Sequence, residues 1–253
     1  MRFLLNVLVL SFIAPFKVYA QPLETIYLPA GVLATVTERG VEGAFPEILN
    51  EAARRLDCDI KLQPLTWRRS QLFAKSEQGA GIAPLTRVAP REHQYVWIAE
   101  LMPLNLTFLV KKEGGSNPQS IKDLSGLRVA VKSGSVADVI TKNMQLENVN
   151  LFHTGNDESI LKMLNMGRVD GWLIWDILGF ESAKKLGMFQ NLRRTFTYTV
   201  GPLYLATNKS VSRAEIERWK KVLWEMKQDG FIKTTLERKY GPVLDMAYGA
   251  YRD

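Results

Sequence analysis

Four polar groups stand where short apolar runs end, and each suits the recognition of a small charged molecule. Arg91 lies in "PLTRVAPREHQYVW" (84–97), just past the run "AGIAPL", with Thr86 behind it. A guanidinium keeps its charge at any physiological pH and grips a carboxylate through two parallel hydrogen bonds. A surface arginine supporting a short helix is the competing reading. "KSGS", Lys132 to Ser135, is a glycine-containing turn between a strand and a helix. Free backbone N–H groups there, with the Ser133 and Ser135 hydroxyls, suit an anion. Asp176 closes "DGWLIWD", where strand alternation puts Trp172, Ile174 and Asp176 on one face. A carboxylate after so apolar a strand needs a partner, and an ammonium would serve. Capping the helix "ILGFESAKKLG" is its plainer use. In "TWRRSQ", Trp67 is placed to stack on a ligand with Arg68 or Arg69 facing the same space, or else to pack inward at a helix start.

Other chemistries lack their signatures. His93 and His153 stand alone, without a second ligand at helical spacing, so neither a metal nor a cofactor is expected. No nucleophile elbow, phosphate-binding Walker loop or dinucleotide fingerprint is present, and no catalytic group is assigned. The chain carries 33 Lys and Arg against 26 Asp and Glu, a net charge of +7. These charges are scattered and not gathered in a stripe, so no nucleic-acid partner is expected. Cys58, the only cysteine, has no internal partner for a disulfide and reads as a buried, inert thiol.

The N-terminus "MRFLLNVLVLSFIAPFKVYA" has a basic Arg2, an apolar run from Phe3 to Ala14, and small-residue punctuation at Val18 and Ala20. This is the pattern of a secretory signal peptide (1–20), cleaved after Ala20 and too short in its apolar part to span a membrane. Its removal lowers the net charge to about +5. Without a cysteine directly after the cleavage point, where Gln21 stands, the mature chain is expected to be soluble and periplasmic, with no lipid anchor.

Beyond it, short apolar runs alternate with amphipathic helices. "ETIYLPA", "IKLQPL" and "AGIAPL" read as strands. Between them, "FPEILNEAARRL" places Phe45, Ile48, Leu49, Ala52 and Leu56 on one helical face, and "SQLFAKSEQG" is a second helix ended by Gly79. This rhythm implies parallel strands covered by helices. After a Gly, Ser and Pro-rich stretch (114–120) it begins again, with strands in "LRVAVKSGS", "NVNLFHTG" and "DGWLIWD". The helix "NDESILKMLNMG" has Asn156 or Asp157 as cap and Gly167 as stop. "SQLFAKSEQGAGIAPLTR" and "SILKMLNMGRVDGWLIWD" share one plan of helix, glycine break, apolar strand and charged residue. Two similarly built lobes are therefore expected rather than one continuous sheet. In the tail, Ser212 and Glu215 read as a capping box before a stripe of Ile216, Trp219, Leu223 and Met226.

Taken in order, "GAFPEILNEAARRL", "PLTRVAPREHQYVW", "DLSGLRVAVKSGS", "LNMGRVDGWLIWD" and "MKQDGFIKTTLERKYG" resemble the periplasmic solute-binding proteins of the polar amino-acid type. These are the extracellular family 3 proteins that serve ABC transporters. The resemblance runs from about "IYLPA" to "RKYGP". It implies an α/β periplasmic-binding-protein fold of type II, with two lobes joined by the hinge strands "LTFLVKK" and "GPLYLAT". Lobe one would be 22–110 plus 201–253, and lobe two 111–200. It further implies that Arg91 clamps a ligand carboxylate, with Thr86, Gly134 and Ser135 nearby, and that Asp176 holds the ammonium. The function implied is binding an amino acid or another small carboxylate, as a monomer, for a membrane permease or receptor. An enzyme on the same scaffold, like cyclohexadienyl dehydratase, and a sensing partner of a receptor are the alternatives. The chain departs from the family at Ala83 and Pro84, where small hydroxyl residues are frequent, and at Val88-Ala89-Pro90, which replaces Thr-Pro-Glu. Arg68, Arg69 and Arg87 are expected to add positive charge at the mouth.

Overall fold

The computed structural model describes residues 21–31, 33–144 and 148–247. The signal peptide expected over 1–20, with its cleavage point, lies outside the described residues.

Strands β1 (Thr25–Pro29), β4 (Lys61–Leu65) and β5 (Ala80–Thr86) form where the sequence has its first three apolar runs. They pair in parallel in the order β4-β1-β5. Helix α1 (Ala44–Leu56) buries Phe45, Ile48, Leu49 and Ala52, one turn apart along a single stripe, and leaves Leu56 half-buried. A hairpin, β2 (Thr35–Thr37) and β3 (Gly40–Glu42), leads into it. Helix α2 (Trp67–Ser76) connects β4 to β5.

The second half repeats this arrangement. Strands β7 (Arg128–Lys132), β8 (Asn150–Thr154) and β9 (Gly171–Trp175) run parallel in the order β8-β7-β9. Helices α3 (Val136–Asn143) and α4 (Asp157–Asn165) are the connections, and Asn156 caps α4 through the Ser159 N–H. The two passages that share a plan in sequence thus hold equivalent places. Each is the helix that feeds the third parallel strand of its half, α2–β5 in one and α4–β9 in the other.

Two long strands join the halves. β6 (Val96–Lys111) and β10 (Leu192–Thr207) pair antiparallel from Thr207↔Val96 to Leu192↔Lys111. At about 3.3 Å per residue each spans roughly 50 Å, enough to serve both ends of the molecule. β10 lies antiparallel beside β5, and β6 lies antiparallel beside β9. The full order is β4-β1-β5-β10-β6-β9-β7-β8. Counted inward from either edge, each half reads second, first, third, returning strand, partner, with β6 and β10 exchanging the last two roles. The expectation of two separate sheets is corrected here. The hydrogen-bonded ladder is continuous, because both connecting strands are shared. Register shifts within β10, at Arg194/Thr197, Thr199/Gly201 and beyond, bend and overtwist this ribbon.

Helices α5 (Asp176–Lys185), α6 (Arg213–Gln228) and α7 (Phe231–Ala247) complete the layers. Ser212 caps α6 by accepting from the Glu215 N–H, but the reciprocal half of the expected capping box is absent. The Glu215 carboxylate instead accepts from Trp219 Nε1 at 3.0 Å and Arg218 Nη1 at 2.9 Å. Cys58 is only half-buried, and burial raises its thiol pKa, which keeps it a poor nucleophile.

Gly43, at the start of α1, has φ 145°, and a Cβ there would collide with the Leu33 carbonyl oxygen. Gly43→Ala is expected to cost about 1–3 kcal/mol in a urea titration through backbone strain alone, before the collision displaces Leu33.

Candidate functional site

The parallel strands of the two halves point their carboxyl ends toward a common space, the place where open α/β sheets bind ligands. Counted out to its opening, that space is about 580 Å³. Its walls are mostly apolar. Leu33 and the ribbon residues Leu104 and Leu203 form one side, facing Ile174, Trp175 and Leu178 of the other half. Trp175 meets Phe45 of α1 edge-on at 6.3 Å, which fixes its ring across the junction. Thr86, Lys132 and Ser135 are the polar lining residues. Leu33 comes from the loop between β1 and β2 and supplies part of the side wall.

Arg91 ends a 3-10 turn (Ala89–Arg91) and is 5% exposed. Its Nη1 donates to the Thr86 carbonyl at 3.2 Å, and its Nη2 reaches across to the Gly134 carbonyl at 3.2 Å. Trp67 lies under the guanidinium, 5.3 Å from ring centre to Cζ, and its Nε1 donates to the same Gly134 oxygen at 2.8 Å. The two side chains therefore bridge the halves at one carbonyl. Burial pulls the Arg91 pKa down, with Tyr95 acting the other way, yet a guanidinium does not lose its proton in proteins. Both oxygens it holds are neutral carbonyls, which compensate a buried cation less well than a carboxylate.

The turn 132–135 is built differently from its expected use. Ser133 N–H donates to the Thr154 carbonyl, Ser135 N–H to the Lys132 carbonyl, and Gly134 N–H to Asp138 Oδ2 at 2.8 Å. Those three donors are engaged within their own half, so they form no anion cradle. Gly134, at φ 71°, presents its carbonyl across the junction instead. Ser133 is exposed and does not line the space, whereas Ser135 does, while its hydroxyl caps α3 by accepting from Asp138 N–H. Val136 and Ala137, the first residues of α3, also line it, so the positive end of that helix faces the guest space.

Asp138 anchors this turn. Burial pushes its carboxyl up, but hydrogen bonds from Lys142, the Gly134 N–H and His153 outweigh burial and hold it below the ordinary aspartate value. A depressed folded pKa contributes order that is full above the unfolded value, about 3.9, and is lost as pH falls through the folded value. The Gly134 amide proton resonance is thus expected to hold steady down to about pH 4. It should shift only at lower pH, and Asp138→Asn should remove that titration.

Asp176 is fully buried and is the first residue of α5, where its Oδ1 accepts the Ile177 N–H at 2.7 Å. The strand ends at Trp175, so the alternation expected to carry through Asp176 stops one residue short. Consecutive residues Ile174 and Trp175 both line the space, and Asp176 is not among the lining residues. The extra arginines are not among the lining residues. Arg69 is exposed and lies 5.6 Å over Phe73 of its own helix, and Arg68 is exposed. Arg87 pairs with Glu92 and covers Trp97. Lys132 is the lining cation, with Nζ 3.2 Å from Asp157 Oδ1. Its position at the end of β7, opening the turn, was the available signal for it.

No family model matches the chain, and no curated protein does. Solved structures do. One is a histidine kinase sensor domain with similarity to periplasmic binding proteins, at TM-score 0.76 and 14% identity, covering 86% of this chain and 96% of that one. The fold is that of the periplasmic binding proteins. The same periplasmic-binding-protein fold is shared with the amino acid ABC transporter substrate-binding protein AbpA from Streptococcus pneumoniae, solved bound to L-arginine. That match has TM-score 0.71 and 16% identity, covering 87% of this chain and 95% of that one. An ancestral amino acid-binding protein, a precursor of cyclohexadienyl dehydratase, matches at TM-score 0.71 and 19% identity, over 85% of this chain and 93% of that one. Among the described residues, no helix is long and apolar enough to cross a membrane and no group of metal-ligating residues occurs.

Proposed function

We propose that the protein is a monomeric periplasmic binder of a small carboxylate-bearing solute, an amino acid or a derivative, which it hands to an ABC transporter. The lobes, 22–110 with 201–253 and 111–200, would close over the guest by bending the shared ribbon. The observation that carries this is the buried guanidinium of Arg91, bonded across the junction to a carbonyl. Exchange of that carbonyl for a guest carboxylate converts a charge–dipole contact into a paired, bidentate one. Thr86, Ser135 and the N-terminus of α3 surround the same end, Trp67 covers it, and Gly134 closes it. Micromolar binding corresponds to about −8 kcal/mol, within reach of one such clamp plus apolar burial after the costs of closure.

Asp176, the residue after Trp175, is proposed to hold the guest's ammonium. Asp176→Asn is then expected to weaken an amino acid at least 10-fold while leaving the matching 2-oxo acid within 2-fold (roughly the loss of one charge-assisted bond). Equal losses for both would remove Asp176 from this role. Binding, not turnover, is the reading we favour. Asp176, the acid an enzyme would use, is fully buried with one oxygen accepting the Ile177 N–H, and it is not among the residues lining the space. Calorimetry of the chain from Gln21 onward, against amino acids and small carboxylates, tests the proposal, and recovery of the guest unaltered tests the absence of turnover. The likeness to a kinase sensor domain supports a receptor as the alternative recipient, and ligand-dependent capture of a membrane protein distinguishes it from a permease.

A further inference from the structure

We infer that the cleft selects a guest with one carboxylate and an apolar body, a branched or aromatic acid, and rejects cationic and dicarboxylic amino acids. The inference rests on the proposed function and specifies its substrate class. Leu33, Leu104, Leu203, Ile174, Trp175 and Leu178 line the space together with Trp67, whose Nε1 shares the Gly134 carbonyl with the Arg91 guanidinium. A guest held there by its carboxylate must lay its side chain against these residues. The lining carries no Asp or Glu among the described residues, so a guanidinium or ammonium side chain would lose its water and find no counter-ion.

Charge points the same way. Lys132 lines the space and the positive end of α3 faces it, which disfavours any second positive group. A second carboxylate on the guest side chain would lose its water against the apolar wall, and Lys132 is already paired with Asp157. The apolar wall is preformed, as Phe45 packs on Trp175 across the junction. A mostly apolar lining with a few polar groups is the ordinary character of a site for small apolar ligands. Removing a methylene from the guest in such a wall costs roughly 10-fold or more in affinity.

The test is calorimetry of the mature chain against L-phenylalanine, L-leucine, phenylpyruvate, L-arginine, L-lysine and L-glutamate under one condition. L-Phenylalanine or L-leucine is expected to bind at least 10-fold tighter than L-arginine, L-lysine and L-glutamate (the discrimination of about one methylene). A charged amino acid binding as tightly as the apolar ones overturns the selectivity but leaves carboxylate capture standing. If none of the six binds, both fall. Leu178→Asp, at a half-buried position of α5, should invert the ratio by weakening L-phenylalanine and strengthening L-arginine. A folded Leu178→Asp variant with an unchanged ratio also overturns the inference, and if that variant does not fold, the wild-type ratio decides alone.

Discussion

Arg91→Ala is expected to weaken carboxylate binding by roughly 10²–10⁴-fold, the loss of two charge-assisted hydrogen bonds worth about 1.5–3 kcal/mol each. Stability should change far less, because two effects oppose. The variant loses the bonds to the Thr86 and Gly134 carbonyls and the stack on Trp67. It also no longer buries a cation whose partners are neutral. A net change of about 1 kcal/mol would move the midpoint by only about 2–4 °C in a chain this long. Arg91→Lys, which keeps the charge without the planar fork, should fall between wild type and alanine. Ligand-induced thermal stabilisation that survives intact in Arg91→Ala would refute the assignment of the clamp.

The largest expected effect on stability comes from Trp219→Ala, at about 3–5 kcal/mol. Trp219 is fully buried at the centre of the α6 stripe, and its Nε1 donates to the buried Glu215 carboxylate. Alanine opens a cavity and deprives that carboxylate of one of its two donors, leaving Arg218 alone. Urea titration should show a lower midpoint with an unchanged slope. Trp219→Phe separates the causes. It restores most of the packing but not the donor, so it should recover more than half of the loss if the cavity dominates.

Local periodicity made most elements readable. The stripe Phe45, Ile48, Leu49, Ala52 repeats every three or four residues whatever surrounds it, and so does Ile216, Trp219, Leu223, Met226. Caps such as Asn156 and Ser212 were legible because they act within three residues. The continuous ladder was not, because pairing Val96 with Thr207 joins positions more than a hundred residues apart that no local pattern links. The site divides in the same way. Arg91 could be picked out from its neighbours, but its bond to Gly134 crosses between halves. The turn at 133–135 read as an anion cradle because its donors looked free. The Thr154 acceptor comes from another strand, and Lys132 and Asp138, though within four residues, engage these donors only through the folded shape of the turn. Leu33 carries no local mark of its role, because what distinguishes it is the space it faces, and Lys132 is marked only by its place at the end of β7.

The sharing of β6 and β10 dictates an order of assembly during synthesis. The half made of β7, β8 and β9 needs β6, which is already complete, and the first part of β10 to finish its sheet. The earlier strands β4, β1 and β5 must wait for the last residues of β10, near Thr207, to cover the exposed side of β5. The portion made first is therefore finished last, and a chain stopped near residue 190 would carry an open strand edge ready to pair with a neighbour.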